Sequence, residues 1–186
     1  MIEDKERWNK RHVEKPMRSN VEGVIYDYVK HANVGRAIDI ACGTGRNTHF
    51  LEEKGFFVEA LDFSDYALSC VKDSENIEKF EVDLDEYDLK KNRYDLIVNC
   101  NYLNRRLMNQ MKDSLKEDGL LIFETFIQAH EKAEQGSMNP AYLLDVNELL
   151  KTFCDLEIIY YEEKEGVNLR GEKNKTASLV AKKHLN

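Results

Sequence analysis

The stretch Ala37-Ile38-Asp39-Ile40-Ala41-Cys42-Gly43-Thr44-Gly45-Arg46-Asn47 decides the fold of this chain. Its first half is apolar and strand-like, and its second half is a glycine turn that leads into a helix. Gly43 and Gly45 have no Cβ, so the backbone can lie close against a ligand. The free N–H groups of the following helix then point toward that ligand. Asp39 adds a negative charge beside the turn, which favours a ligand with a cationic or donor-rich end over a pyrophosphate.

Length, charge and cysteine content limit the class of protein. The chain has 186 residues, enough for one domain with a full core, and a formal net charge of −8. Proteins that bind nucleic acids usually carry a basic stripe, so this charge speaks against such a partner. The cysteines form no Cys-x-x-Cys pair and no metal-ligand spacing with histidine, which predicts a reduced, cytoplasmic protein without a metal site. With no secretory signal and no apolar stretch of membrane-spanning length, we also expect no membrane partner.

Hydrophobic periodicity predicts strands and helices that alternate along most of the chain. Residues 1–15 are charged and polar, and we assign them no helix or strand. Thr44 and Ser64 are the predicted N-caps of two of the helices. Predicted helices cover about 20–32, 44–54, 64–73, 103–116 and 146–153. Predicted strands cover about 36–41, 56–62, 77–82, 94–99, 119–126, 155–163 and 176–183, the last two joined by a polar turn at 164–175.

This order predicts an α/β fold, with a Rossmann-like, mostly parallel seven-stranded sheet, helices on both faces and an antiparallel C-terminal hairpin. We expect one domain over 1–186. It comprises an N-terminal arm and helix (1–34), a ligand-binding core (35–126), and a lid loop with the hairpin (127–186). Ligands of such sheets bind beyond the carboxyl ends of the strands, where the strand order reverses. Each predicted parallel strand ends in a polar residue, so one crevice should be ringed by Asp39, Asp62, Asp83, Asn99 and Glu124.

These residues resemble the motifs of class I S-adenosylmethionine-dependent methyltransferases. Asp39-x-x-Cys42-Gly43-Thr44-Gly45 is similar to the acidic glycine loop of that family, with Ala41 in place of its first glycine. The segments 94–99 and 115–121 resemble the family's fourth strand and the turn into its fifth. The start Trp8-Asn9-x-Arg11 and the segments 124–126 and 139–144 are similar to small bacterial tellurite-resistance and thiopurine-type methyltransferases.

The resemblance implies a role for particular residues toward S-adenosylmethionine. Asp39 lies toward the methionine amine, Asp62 takes the ribose hydroxyls, Asp83 contacts the adenine, and the backbone of Asn99 reaches the amino group. Arg11 and Arg46 are each candidates to neutralise the carboxylate of the cofactor, with a surface arginine as the alternative. The full predicted cofactor set is Trp8, Arg11, Asp39, Ala41, Gly43, Gly45, Asp62, Phe63, Asp83, Leu84 and Asn99.

The predicted substrate contacts are Tyr102, Arg105, Phe126 and Tyr142. Arg105 is a candidate anchor for an anionic acceptor, or else an ordinary surface charge. Phe126 and Tyr142 form either an aromatic wall or ordinary packing. Methyl transfer needs position and desolvation above all, so no dedicated catalytic residue is predicted. The expected partner is a small-molecule methyl acceptor.

Two other functions fit the same sequence. The first is an NAD(P)-dependent oxidoreductase, which also places an acidic residue at the position of Asp62. That reading is weakened by Thr48, which stands where a dinucleotide fingerprint has its third glycine, and by Asp39, whose charge would repel a pyrophosphate. The second is a non-catalytic protein that binds S-adenosylmethionine without turnover.

Overall fold

A computed structural model describes residues 2–14, 20–128, 139–167 and 173–184 of the chain. It contains one seven-stranded sheet. The strands are β1 (Arg36–Ile40), β2 (Phe57–Asp62), β3 (Ile77–Glu81), β4 (Tyr94–Cys100), β5 (Leu115–Phe126), β6 (Glu157–Val167) and β7 (Lys173–Lys182). The helices are α1 (Ile2–Glu14), α2 (Gly23–Tyr28), α3 (Arg46–Glu53), α4 (Asp65–Cys70), α5 (Arg105–Ser114) and α6 (Glu148–Thr152).

The strand order is β3-β2-β1-β4-β5-β7-β6. Strands β1 to β5 run parallel, and β7 lies antiparallel between β5 and β6. The order reverses between β1 and β4, where Ile40 is paired with Leu61 on one side and Asn99 on the other. The predicted α/β fold with a C-terminal antiparallel hairpin is therefore confirmed, and its switch point lies beside Asp39.

Hydrophobic side chains pack on both faces of the sheet. One cluster joins the face of β1, β4 and β5 that carries Ile40, Ile97 and Phe123 to α5 and α6. The other joins the opposite face to α2 and α3. None of the helices in the described ranges is long and apolar enough to cross a membrane. The sheet is thus covered on both faces, and the carboxyl ends of its strands are left to form a crevice.

Some local predictions were wrong. Residues 2–14 form helix α1, in a segment for which the sequence predicts no element. The N-cap of α3 is Gly45, which has a left-handed φ of 84°. Thr44 is therefore not the N-cap, and no side-chain hydrogen bond caps this helix. Strand β5 begins at Leu115, because Leu115 is paired with Tyr94 before a register shift. The predicted Ser64 cap of α4 is confirmed, since its hydroxyl accepts a bond from the Ala67 N–H at 3.0 Å.

The predicted lid loop at 127–145 is described only in part. Its residues 129–138 lie outside the described residues. The part that follows is anchored to the sheet, since the Leu144 N–H donates to the Phe126 carbonyl at 2.9 Å and the Gln128 N–H to the Leu144 carbonyl at 2.9 Å. The strands of the C-terminal hairpin extend into the predicted turn at 164–175, of which 168–172 also lie outside the described residues.

Candidate functional site

The loop between β1 and α3 has the backbone that the glycine pattern predicts. Ala41, Gly43 and Gly45 have φ values of 54°, 55° and 84°. A left-handed alanine costs roughly 1 kcal/mol or more, so Ala41 holds its position under strain. A Cβ on Gly45 would lie 2.8 Å from Val71 Cγ2 and 3.0 Å from His49 Cε1. The tight path of this loop therefore depends on glycine at position 45.

Asp62, at the end of β2, fixes the glycine loop from the neighbouring strand. Its Oδ2 accepts a hydrogen bond from the Gly43 N–H at 2.8 Å, and its Oδ1 accepts one from the Ser64 N–H at 2.8 Å. The side chain is buried. Each carboxylate oxygen has two lone pairs, so Asp62 keeps acceptor capacity for hydroxyl donors of a ligand. The residue therefore both shapes the loop and remains available to a ligand.

Asp39, at the end of β1, is a buried carboxyl with one strong side-chain partner. Its Oδ2 accepts a hydrogen bond from Thr48 Oγ1 at 2.7 Å. Burial raises the pKa of Asp39 to about 7, although the Thr48 bond and the nearby Arg46 oppose the shift. A cation placed near this carboxyl would favour its charged form. Asp39 is therefore held in its charged form best when a cationic ligand is present.

Buried polar atoms without partners mark the same edge of the sheet. Among the described residues, these atoms are Arg46 Nε, Asn47 Oδ1 and Asn99 Oδ1. Asn99 ends the central strand β4, and its Nδ2 donates to the Tyr102 carbonyl at 2.8 Å. A buried acceptor left unpaired costs about 1–3 kcal/mol, which a ligand donor can recover. The two amide oxygens, Asn47 Oδ1 and Asn99 Oδ1, therefore fit a donor-bearing ligand such as an ammonium or a hydroxyl, whereas the Arg46 Nε–H fits an acceptor.

Asp83 and Leu84 lie next to the end of β2 in different environments. The Val82 N–H donates to the Asp62 carbonyl at 3.0 Å, which brings Asp83 beside Asp62. Asp83 is half-buried, and its Oδ1 accepts a bond from the Asp85 N–H at 3.0 Å. The Leu84 side chain is buried in the core, so any contact of Leu84 with a ligand uses its backbone. Phe63 follows β2 and is also half-buried.

Helix α1 lies over the ends of β2 and β3 and brings residues that sequence reasoning missed. Asn9 Nδ2 donates to Asp65 Oδ1 at 2.7 Å, and Ser64 Oγ donates to Asn9 Oδ1 at 2.5 Å. Burial lowers the pKa of His12, and the charge of Asp62 partly offsets that shift. The polar pattern of residues 1–15 carries no strong signal for this contact. His12 and Asn9 are thus part of the wall around Asp62.

The predicted residues of α1 lie on its more open side. Trp8 is 37% exposed. The Arg11 guanidinium lies 5.0 Å from the centroid of the Trp8 ring. Their predicted contacts with the cofactor therefore remain a prediction, because Trp8 and Arg11 are seen in contact with each other.

Arg46, a candidate for the cofactor carboxylate, has a protein partner. Its side chain is buried and forms an ion pair with Glu22 Oε1 at 2.9 Å. Asn101 Nδ2 donates to the same Glu22 oxygen at 3.2 Å. The Arg46 guanidinium is therefore buried among polar partners, and its charge lowers the pKa of Asp39.

The four predicted substrate contacts differ in burial and in hydrogen bonding. Arg105 donates to both carboxylate oxygens of Glu148 at 2.7 and 2.8 Å, and to the Leu143 carbonyl at 2.9 Å. These bonds favour a structural role that holds the 139–148 segment against α5, and leave the predicted role as a substrate anchor without support. Tyr102 is half-buried, and burial raises its pKa to about 12. Phe126 is half-buried at the end of β5, whereas Tyr142 is 58% exposed.

Comparison with known proteins places this site in context. Residues 1–179 match a family model described as tellurite resistance protein TehB. A relative in Haemophilus influenzae, named a probable S-adenosyl-L-methionine-dependent methyltransferase TehB, is 22% identical over 178 residues, which are 88% of this chain and 62% of the relative. A putative methyltransferase of Bacillus subtilis, YqeM, is 34% identical over 103 residues, covering 48% of this chain and 42% of the relative.

Solved structures agree on the fold. The crystal structure of TehB from Haemophilus influenzae superposes with a TM-score of 0.78 at 22% identity, covering 95% of this chain and 67% of that one. A methyltransferase structure from Methanosarcina mazei superposes with a TM-score of 0.69 at 20% identity, covering 90% of this chain and 100% of that one. The chain spans about three-fifths of the length of the Haemophilus relatives that it matches, 62% in each case.

Proposed function

Because this chain belongs to the tellurite-resistance TehB family, we propose that it is an S-adenosylmethionine-dependent methyltransferase that acts on a small-molecule acceptor. One observation carries the proposal. The strained glycine loop, the Asp39 and Asp62 carboxyls and the unpaired Asn99 oxygen converge where the strand order reverses. This set combines close backbone approach with buried acceptors, which suits a ligand that carries an ammonium, a sulfonium and two ribose hydroxyls.

Particular residues would hold this cofactor. Asp62 has the free lone pairs to take ribose hydroxyls while it continues to fix the Gly43 N–H. The buried carboxyl of Asp39 would pair with the ammonium group of the cofactor, which would stabilise the charged form of Asp39. Phe63 and Asp83 are half-buried next to the end of β2, where they would contact the adenine. When bound, the cofactor supplies an electrophilic methyl group for in-line displacement.

The protein's contribution is mainly to position and desolvate the reactants. A nucleophile held about 3 Å from an electrophilic carbon in the correct line gains several kcal/mol from orientation alone. Helix α1 and the 139–145 segment lie beside the strand ends, where they can exclude water from such a pair. A small acceptor fits this arrangement better than nucleic acid, because the chain carries a net charge of −8.

The first test is ligand binding. S-adenosylhomocysteine should raise the melting temperature and bind in calorimetry, whereas NAD(P) should do neither. Asp62→Ala should weaken S-adenosylmethionine binding about tenfold or more, because a hydrogen bond to a charged group contributes about 1.5–3 kcal/mol. The matched control is Asp27→Ala, which removes an exposed carboxylate from α2.

The second test is turnover. S-adenosylhomocysteine production should be measured across thiols, amines, carboxylates and metalloid oxyanions. Binding without turnover of any acceptor would support the non-catalytic alternative. A melting-temperature increase with NAD(P) alone would support the oxidoreductase. Unchanged affinity in Asp62→Ala would reject the role assigned to Asp62.

A further inference from the structure

A second polar group lies beside the cofactor-binding residues, at the carboxyl ends of β4 and β5. Its centre is Glu124, which is paired in register with Cys100 on β4 and with Ser178 on β7. Glu124 is 7% exposed, and the Ser178 hydroxyl donates a hydrogen bond to its Oε2. A carboxylate buried near the carboxyl end of a strand is costly to maintain. Such a residue, which the binding roles above leave unused, points to a chemical role.

Several charged groups act on Glu124 from the elements around it. Burial raises its pKa above the ordinary glutamate value. Glu22, ahead of α2, raises it further, whereas Ser178, Lys164 on β6 and Arg46 on α3 lower it. The Glu124 charge in turn raises the pKa values of the Cys100 thiol and of Tyr160 on β6. The carboxylate is therefore a better proton acceptor than an ordinary surface glutamate.

The position of Glu124 relative to Asp39 leaves room for two reactants. β1 and β5 flank β4, so they are two strand spacings apart. Asp39 is paired with Val98, and Glu124 with Cys100 two residues further along β4. The two side chains begin on the same face, at a separation of roughly 12 Å from sheet spacings alone. Arg46 acts electrostatically on both carboxyls, so it lies near each of them.

We propose that Glu124 is a catalytic base that takes the proton of the methyl acceptor, and that this acceptor is a neutral protic nucleophile such as a thiol. The inference rests on the proposed function. In the step, the acceptor atom bonds to the methyl carbon and the carbon–sulfur bond breaks, its electron pair passing to sulfur. The acceptor's proton passes to a carboxylate oxygen of Glu124, which becomes a neutral acid and later returns the proton to water.

The proton balance of the step favours this class of acceptor. A neutral protic acceptor carries a proton that must leave, and Glu124 gives that proton a destination.

The test compares acceptors that differ in whether a proton must be removed. An alkyl thiol is mostly protonated at pH 7, whereas an acidic aryl thiol is already a thiolate. Glu124→Gln should lower kcat with the alkyl thiol, or with neutral aniline, by about 100-fold or more. The same variant should change kcat with the aryl thiolate less than about threefold. A purely structural role for Glu124 would lower both rates equally, and that result would overturn the inference.

Two further variants sharpen the test. Glu117→Gln, an exposed position near the start of the same strand, is the matched control and should leave every rate unchanged. Ser178→Ala removes a hydrogen bond that stabilises the ionised carboxylate. It should therefore raise the pKa of Glu124 and move the acidic limb of the kcat profile to higher pH. An unmoved limb would contradict the assignment.

A readout without turnover separates this inference from the proposed function. The carboxyl signal of Glu124 in carbon NMR, identified by its absence in Glu124→Gln, should titrate above the ordinary glutamate range in the S-adenosylhomocysteine complex. If S-adenosylhomocysteine does not bind, the proposed function fails. If it binds, but only metalloid oxyanions are methylated, or no neutral protic probe is, the proposed function keeps its cofactor and the role of Glu124 is overturned.

Discussion

At the scale of single residues, Asp39 links the binding site to pH. Its folded pKa of about 7 lies above the unfolded value of 3.8, so the native state holds more protons between these limits. Stability therefore falls as pH rises from about 4 to 7, and the full cost is present above pH 7. Asp39→Asn should raise the free energy of unfolding at pH 8 by roughly 2–4 kcal/mol, and by little at pH 4, as measured by urea denaturation.

Matched variants test whether the effect belongs to this carboxyl. Thr48→Val removes the hydroxyl that donates to Asp39, so it should destabilise the protein more at pH 8 than at pH 4. Asp27→Asn changes an exposed carboxylate and should leave the pH dependence unchanged. Parallel stability curves for the wild type and Asp39→Asn would show that Asp39 is not the titrating group.

The site residues differ in how far sequence alone predicts them. Asp39, Gly43, Gly45 and Asp62 stand directly at strand ends, so periodicity places them in one crevice. Asn9 is bonded to Ser64, and His12 lies near Asp62; both belong to a helix about 50 residues earlier, and no local pattern encodes these contacts. Sequence could name strand-end residues because parallel strands align their carboxyl ends. It could not name those that depend on how a distant helix docks.

At the scale of elements, α1 is held on the sheet by a small set of polar contacts. Asn9 joins α1 to Ser64 and Asp65, and Lys5 Nζ pairs with Asp65 at 3.1 Å and with Glu81 at 2.5 Å. Asn9→Ala removes two of these contacts and should loosen the helix. Amide hydrogen exchange within 2–14 should become faster, while exchange in β1 and β4 stays unchanged. Mass spectrometry of peptides from the exchanged protein measures both.

A substitution on the same helix controls for helix propensity. Lys10→Ala removes an exposed side chain whose ion-pair partner is Glu14 at 3.7 Å, within α1 itself. It should leave exchange in α1 close to that of the wild type. If Asn9→Ala and Lys10→Ala behave alike, the Asn9 contacts do not hold α1 on the sheet.

Elements were predicted well where the core determines them. Strands β1, β2 and β4 are almost wholly buried, and their apolar runs mark them clearly. Helix α1 is rich in charged and polar residues and docks through polar contacts, so hydrophobic periodicity gives a weak signal there. The start of β5 was misplaced because Leu115 and Gly119 are separated by a register shift against β4. Such irregularities depend on the partner strand, which the local sequence does not encode.

At the scale of the whole molecule, the two ends of the sheet have different chemistry. The carboxyl end holds the strained loop and buried polar atoms, such as Asn99 Oδ1, that have no partner within the described ranges of the chain. Nearer the amino end, Glu59 on β2 is fully buried and satisfied by three side chains. Arg36 Nη1 and Arg93 Nε donate to Glu59 Oε1 at 2.7 and 2.9 Å, and the Tyr94 hydroxyl donates to Glu59 Oε2 at 2.8 Å. The fold thus separates a stabilising polar network from a binding edge.

This separation predicts that the Glu59 network carries stability. Burial alone would raise the pKa of Glu59, but bonds from Arg93 and Tyr94 lower it overall. Its contribution is therefore present above the unfolded value of 4.5 and lost as pH falls through the folded pKa. Glu59→Ala should reduce the free energy of unfolding at pH 7 by about 3–5 kcal/mol in urea denaturation, and by less near pH 3. Glu78→Ala, its exposed register partner on β3, should cost about 0.5 kcal/mol or less, and equal losses in both variants would refute the role of the network.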